Sequence, residues 1–170
     1  AEIVQRSIPE INASVPIYYI ISSCEASANL ARFDGLKYGY SYREPTGKPL
    51  DLESTYRLSR GNGFGPEVKR RILAGTFALA SGYYDAYYLQ AAKLRRRLRD
   101  EFAKLFTEFD GVINPVTATG PFRLNEKLSD PLKMYTSDAF TTWVNLCGFP
   151  SISVPIGTNA KGLPLGVQIT

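Results

Sequence analysis

Histidine is absent from the sequence. That excludes a Ser-His-Asp triad, a Cys-His dyad and most zinc sites within the chain. The two cysteines, Cys24 and Cys147, are far apart and lack metal-type spacing. They read as reduced, packed thiols of a cytosolic chain, although sequence leaves a disulfide open. No apolar run is long enough to span a bilayer, and no signal peptide is visible at Ala1. Internal repeats and low-complexity tracts are missing. So is Gly-x-Ser-x-Gly, the turn that exposes a serine nucleophile in α/β-hydrolases.

What is present suits a globular core. Hydrophobic residues make up 44% of the chain and charged residues 21%, and 170 residues suffice for one domain. Eleven Tyr and nine Phe are many for this length and point to core and interface packing. The net charge of +4 permits a phosphate or RNA partner without demanding one.

Residues 1–15 read as a loop, and Ile17 to Ser22 as a strand rich in aromatic and β-branched residues. A hydrophilic surface loop follows Tyr40. Leu52 to Leu58 suits a short helix, capped by a residue such as Ser54. At 61–65 the GNGFG run invites a phosphate-loop reading, but no apolar strand precedes it and no Gly-Lys-Ser/Thr follows. It reads instead as a tight loop feeding a helix. Pro66 and Glu67 suit that helix's first turn, so it should run to about Ala80, with Val68, Ile72, Leu79 and Leu73, Phe77 as apolar positions.

Ser81-Gly82 should break the path before a long helix from about Tyr84 to Phe109. Leu94, Leu98, Phe102, Leu105 and Phe106 form its apolar stripe, and Lys93, Arg95, Arg96, Arg97 and Arg99 a solvated outer face. Val112 to Val116 reads as a buried strand, and Asp138 to Leu146 as a short helix closed by Gly148. Two strands, Ser151 to Ile156 and Leu163 to Ile169, close the chain around a TNAKG turn. Long helices between isolated strands argue for an α/β layered fold with a mixed sheet.

Four blocks carry more information than their propensities. They are VPIYYIISSCEASANLARFDGLKYGY from Val15, RGNGFGPEVKRRILAGTFALASGYYDAYYLQAAKLR from Arg60, DPLKMYTSDAFTTWVNLCGFPSISVPIG from Asp130, and GLPLGVQI from Gly162. In order and spacing they resemble the glutaminase subunits of tRNA-dependent amidotransferases, a branch of the amidase-signature family. The SISVP and GLPLGVQ pieces are shared with amidases generally. The EASANLARFDG and SGYYDAYY pieces are particular to the tRNA-dependent branch.

The resemblance implies an amidase-signature fold, a mixed β-sheet layered between α-helices, of which residues 1–170 would be a C-terminal-side portion truncated at both ends. It implies a glutaminase subunit that donates ammonia for converting Glu-tRNA(Gln) to Gln-tRNA(Gln). Catalysis in that family uses a Ser-Ser-Lys triad beside a Gly/Ser-rich loop. No such loop occurs here, and Ser22-Ser23, the one Ser-Ser pair, lacks flanking glycines and reads as structural. The chain alone is therefore expected to be inactive. The resemblance also implies no cofactor in this subunit, ATP and Mg used by a partner subunit, and subunits B and C as partners. Misacylated tRNA would be held mainly by the partner. No membrane association is expected, and the location would be the bacterial cytoplasm or an organelle matrix or stroma.

Matched motif to motif, the resemblance assigns three glutamine-binding positions: Tyr18 as a pocket wall, Arg71 on the substrate α-carboxylate and Asp138 on the α-ammonium. The chemistry suits a zwitterion. A guanidinium fork matches a carboxylate, and an aspartate accepts from an ammonium. By residue context alone, Arg71 reads as a helix-surface salt bridge and Asp138 as a helix N-cap. A stand-alone amidase would not need the zwitterion clamp, and an RNA-binding scaffold would have to rely on the basic helix at 93–99.

Overall fold

The computed structural model describes residues 2–126 and 134–170. Residues 127–133, which begin the DPLKMYTSD region, lie outside the described residues. The chain divides into two compact units, Ala1–Tyr18 with Ala91–Thr170, and Tyr19–Gln90.

The second unit is helical. A helix α1, Ser14–Asn29, enters it and is followed by α2, Leu52–Gly63, and α3, Pro66–Leu79. The expected strand at Ile17 to Ser22 is thus wrong: those residues are helical. Their aromatic and β-branched content favours a strand locally. Yet Ile17, Ile21 and Cys24 fall at helical spacing and are the buried apolar positions. Pro16 is accommodated in the first turn, where its missing N–H costs nothing. Residues 9–13, expected as loop, form a 3₁₀ turn, Pro9–Ala13.

The helix expected at Leu52 is present and extends further, through Gly63, so two glycines of the Gly-rich run are helical. Its cap is Asp51, whose Oδ1 accepts from Ser54 N at 2.6 Å, rather than Ser54. Helix α3 starts at Pro66 as its sequence dictates. Its buried positions are Gly75 and Ala78, while Leu73 is 71% exposed and Phe77 sits on the surface. The expected Leu73–Phe77 stripe is therefore not core. Phe77 instead meets Tyr83 and Tyr87, with ring centroids 4.3 and 5.7 Å away.

Gly75 explains why that side of α3 is buried. A Cβ built on it would lie 2.0 Å from the Ser23 carbonyl oxygen of α1. The two backbones touch there, so only glycine fits. Contacts on either side run in the same sense along both helices. Arg71 stacks over the Tyr19 ring at 5.3 Å, and Ser27 and Thr76 hydroxyls bond at 2.9 Å. Tyr19, Ser23 and Ser27 are one helical turn apart, so they form a single face.

A π-turn, Asp85–Leu89, ends the second unit and leads into α4, Gln90–Glu108, nearly all of which belongs to the first. This continues the long helix that the sequence anticipates after Ser81-Gly82. Leu98 and Phe102 of α4 are buried, and Phe102 stacks on Trp143 of α5, Thr142–Cys147, with centroids 3.8 Å apart. The basic side chains of α4 face outward, and Arg95 Nε donates to the Leu146 carbonyl at 2.8 Å near the α5 terminus. Gly148, with φ of 74°, ends α5 in the left-handed conformation that suits glycine there.

Among the described residues this unit also holds three strands: β1, Ile113–Pro115; β2, Ile152–Thr158; β3, Pro164–Ile169. Their order is β1-β3-β2 and both described pairings are antiparallel. The register aligns Ile113, Ile169 and Ile152 in one row and Asn114, Gln168 and Ser153 in the next. Alternation puts these rows on opposite faces. Gln168 is buried and its amide donates to Asn114 Oδ1 and to the Phe140 carbonyl. The isoleucine row is open, with Ile113 65% and Ile152 61% exposed. The expectation of a buried strand at Val112 to Val116 therefore fails, because nothing in the described chain covers that face.

Candidate functional site

The three residues assigned to glutamine occupy three elements. Tyr18 is half-buried on α1, at the end of the first unit's opening segment. Asp138 is half-buried and ends the 3₁₀ turn Thr136–Asp138, also in the first unit. A buried hydrogen bond of 3.0 Å joins Ser14 of α1 to Thr142 of α5. Tyr18 lies one helical turn after Ser14, and Asp138 lies four residues before Thr142. The bond ties α1 to α5.

Asp138 does not cap the following helix. The N-cap of α5 is Thr141, and the Asp138 backbone carbonyl accepts from Thr141 N at 3.1 Å and from Thr141 Oγ1 at 3.3 Å. Thr141 holds that position without a side-chain capping bond.

Arg71 belongs to the second unit, and its surroundings there are well defined. Its side chain is 30% exposed. Its Nε donates to Glu67 Oε1 at 2.9 Å, one turn back along α3. The Tyr19 ring packs beneath its guanidinium. Glu67 Oε2 meanwhile accepts from Arg70, whose side chain is about half exposed. Helix phase separates the three cations of Lys-Arg-Arg. Lys69 reaches the Gly61 carbonyl, Arg70 points to the exposed side, and Arg71 lies one turn from the Gly75 crossing. The contacts of Glu67 and Tyr19 with Arg71 escaped the sequence reading, although the i,i+4 spacing from Glu67 to Arg71 was available as a signal.

Other features are structural. Ser23 is buried against α3, and Ser22 Oγ is buried with no hydrogen bond among the described residues. Asp34 Oδ1 accepts from the backbone N–H groups of Leu36, Lys37 and Tyr38, which hold its carboxyl below the usual range. Burial pushes the Cys147 thiol up to about 11, against the opposing pull of Arg95 and Arg99. Burial, and then Glu25, also raise the Cys24 thiol. A cavity of about 620 Å³ lies over the sheet of the first unit, lined by residues including Asn114, Thr117, Phe122, Ser137 and Val167. None of Tyr18, Arg71 and Asp138 lines it, although Ser137 precedes Asp138. Among the described residues no group of three or more His, Cys, Asp or Glu could hold a metal, and no helix is long and apolar enough to cross a membrane.

An α/β chain with these blocks is placed by comparison. The Amidase family matches residues 1–170, and the chain belongs to that family. Within it the similarity is specific. The chain is 47% identical over 170 residues to the A subunit of glutamyl-tRNA(Gln) amidotransferase from Bdellovibrio bacteriovorus, covering 100% of this chain and 35% of that protein. It is 52% identical over 169 residues to the protein of the same name from Nitrosospira multiformis, covering 99% of this chain and 34% of the other. The crystal structure of the Thermotoga maritima protein of that name superposes with a TM-score of 0.61 at 36% identity, covering 95% of this chain and 29% of that one. The chain therefore spans about a third of the length of the curated relatives it matches.

Proposed function

We propose that this chain is part of the glutamine-hydrolysing subunit of a tRNA-dependent amidotransferase, and that it supplies that subunit's glutamine pocket. The observation that carries the reading is identity near one half, sustained over the whole chain, to proteins bearing that subunit's name. In this reading residues 1–170 are one portion of an amidase-signature domain. A Ser-Ser-Lys triad elsewhere in the subunit performs the hydrolysis, and this chain alone is inactive.

Tyr18 forms a wall of the pocket, Arg71 binds the α-carboxylate of glutamine and Asp138 its α-ammonium. Two features support these roles. The Arg71 guanidinium is partly shielded from solvent, which strengthens a charge-assisted bond. The N-cap position of the following helix is Thr141 and not Asp138. The ammonia passes to a partner subunit that uses ATP and Mg to activate the misacylated glutamyl-tRNA, so this subunit binds no cofactor. A third subunit completes the assembly, which works in the bacterial cytoplasm or an organelle matrix.

The test uses the assembled enzyme. Arg71→Ala and Asp138→Ala should each raise the glutamine KM at least about tenfold, the worth of one charge-assisted bond. Activity driven by added ammonia should persist, because ammonia bypasses the clamp. Wild-type glutamine kinetics in both variants would sink the assignment.

A further inference from the structure

We propose that Glu67 and Tyr19 are positioning residues for Arg71, fixing its guanidinium in the orientation that receives a carboxylate. The inference rests on the reading of Arg71 as the carboxylate ligand and adds residues to it.

An arginine side chain has several rotatable bonds. Binding a carboxylate in two parallel hydrogen bonds freezes them, and that ordering opposes binding unless it is made in advance. Here two contacts order the group beforehand. Glu67 Oε1 accepts a hydrogen bond from Nε at 2.9 Å. The Tyr19 ring lies 5.3 Å from the guanidinium carbon and holds the plane from below. A carboxylate can approach a guanidinium along the Nε side or along the edge formed by its two terminal nitrogens. Glu67 engages the Nε side and so fixes the rotation of the guanidinium about its own stem.

Both contacts have fixed origins. Glu67 and Arg71 are one turn apart on α3, with the acid N-terminal to the base, the favourable order. Tyr19 is one turn before Ser23, where α1 touches Gly75. The close crossing at Gly75 therefore sets the height of the ring under the guanidinium. Glu67 has a second bond, to Arg70, on the exposed side. This gives a control: if Glu67 served only as a helix-surface ion pair, losing Arg70 would matter as much as losing Arg71's contact.

The experiment measures glutamine KM, kcat and ammonia-driven activity in the assembled enzyme for Glu67→Ala, Glu67→Gln, Tyr19→Ala, Tyr19→Phe, Arg70→Ala and Arg71→Ala. Glu67→Ala and Tyr19→Ala should each raise the glutamine KM about three- to tenfold, with kcat at saturating glutamine and ammonia-driven activity near wild type. Glu67→Gln keeps an acceptor and Tyr19→Phe keeps the ring, so both should recover most of the loss. Arg70→Ala should stay within about twofold of wild type, since Arg70 lies on the solvated side. An unchanged KM in Glu67→Ala and Tyr19→Ala, alongside a raised KM in Arg71→Ala, overturns positioning and leaves the pocket reading intact. An unchanged KM in Arg71→Ala removes the reading of Arg71 as the carboxylate ligand and the proposal with it. A lower KM in Glu67→Ala would show that Glu67 competes with the substrate, and it too overturns the proposal.

Discussion

Replacing Gly75 by alanine is the sharpest test of the helix crossing beneath Arg71. In an exposed helix the change would stabilise, because alanine is favoured over glycine by about 1 kcal/mol. At Gly75 the new methyl would lie 2.0 Å from the Ser23 oxygen, 2.5 Å from its carbonyl carbon and 2.9 Å from Cys24 N. A comfortable carbon–oxygen contact is about 3.3 Å or more. The obstacle is backbone, so no rotamer change relieves it. Helices α1 and α3 must part by roughly 1 Å, which a close-packed interior resists. That movement also strains the 2.9 Å hydroxyl bond between Ser27 and Thr76, worth about 1 kcal/mol.

Overpacking of this kind costs about 1–3 kcal/mol and occasionally more. With the lost hydroxyl bond added and the helix propensity gain subtracted, a net loss of about 1–3 kcal/mol remains. For a chain of this size that lowers Tm by roughly 2–12 °C. The control is Gly61→Ala, also helical, where a Cβ meets nothing within 4 Å. It should leave Tm unchanged or raise it by about 2–4 °C. Thermal unfolding followed by circular dichroism reads both. A Gly75→Ala protein that melts with the wild type, or above it, refutes the backbone contact. In the assembled enzyme, Gly75→Ala should also raise the glutamine KM, because Tyr19 and Arg71 ride on the two displaced helices.

Two further expectations concern titrating groups. Backbone N–H bonds depress the Asp34 carboxyl, and the bonds to Ser54 depress Asp51. A carboxyl lowered in the folded state contributes stability above its unfolded value of about 3.9, and that contribution is lost as pH falls through the folded value. The double variant Asp34→Asn/Asp51→Asn should therefore show a flatter fall of Tm than the wild type below about pH 4. Parallel acid limbs would contradict this. Both thiols are buried and raised, Cys147 to about 11, so neither should react with an aromatic disulfide reagent at about pH 8 until urea is added. Rapid labelling of the folded chain would count against the packing described for α1 and α5.

Much of the candidate site was legible only in outline. The Lys-Arg-Arg run offers three cations that composition cannot rank. Their order emerges from the phase of α3, which is fixed at one end by Pro66 and Glu67 and at the middle by Gly75. Asp138 looked like a helix cap because aspartate is a favoured cap. The structure starts α5 further on, and Thr141 takes that place.

Residue order alone was enough for the family, through blocks whose succession no propensity rule requires. It was also enough for the elements whose signals are local. Pro66 and Glu67 start α3, Ser81-Gly82 breaks the path after it, Gly148 stops α5, and period-two runs make β2 and β3. Packing in three dimensions governed the rest. It made Tyr18 to Ser22 helical against their residue types, by burying Ile17, Ile21 and Cys24 on one face. It chose the small side of α3 over the Leu73–Phe77 side, and it left the Ile113, Ile152 and Ile169 row uncovered. Propensity and period describe one element at a time, whereas burial depends on which element approaches and how closely. At Gly75, that distance is set by the backbone of another helix far away in sequence, at the Ser23 carbonyl.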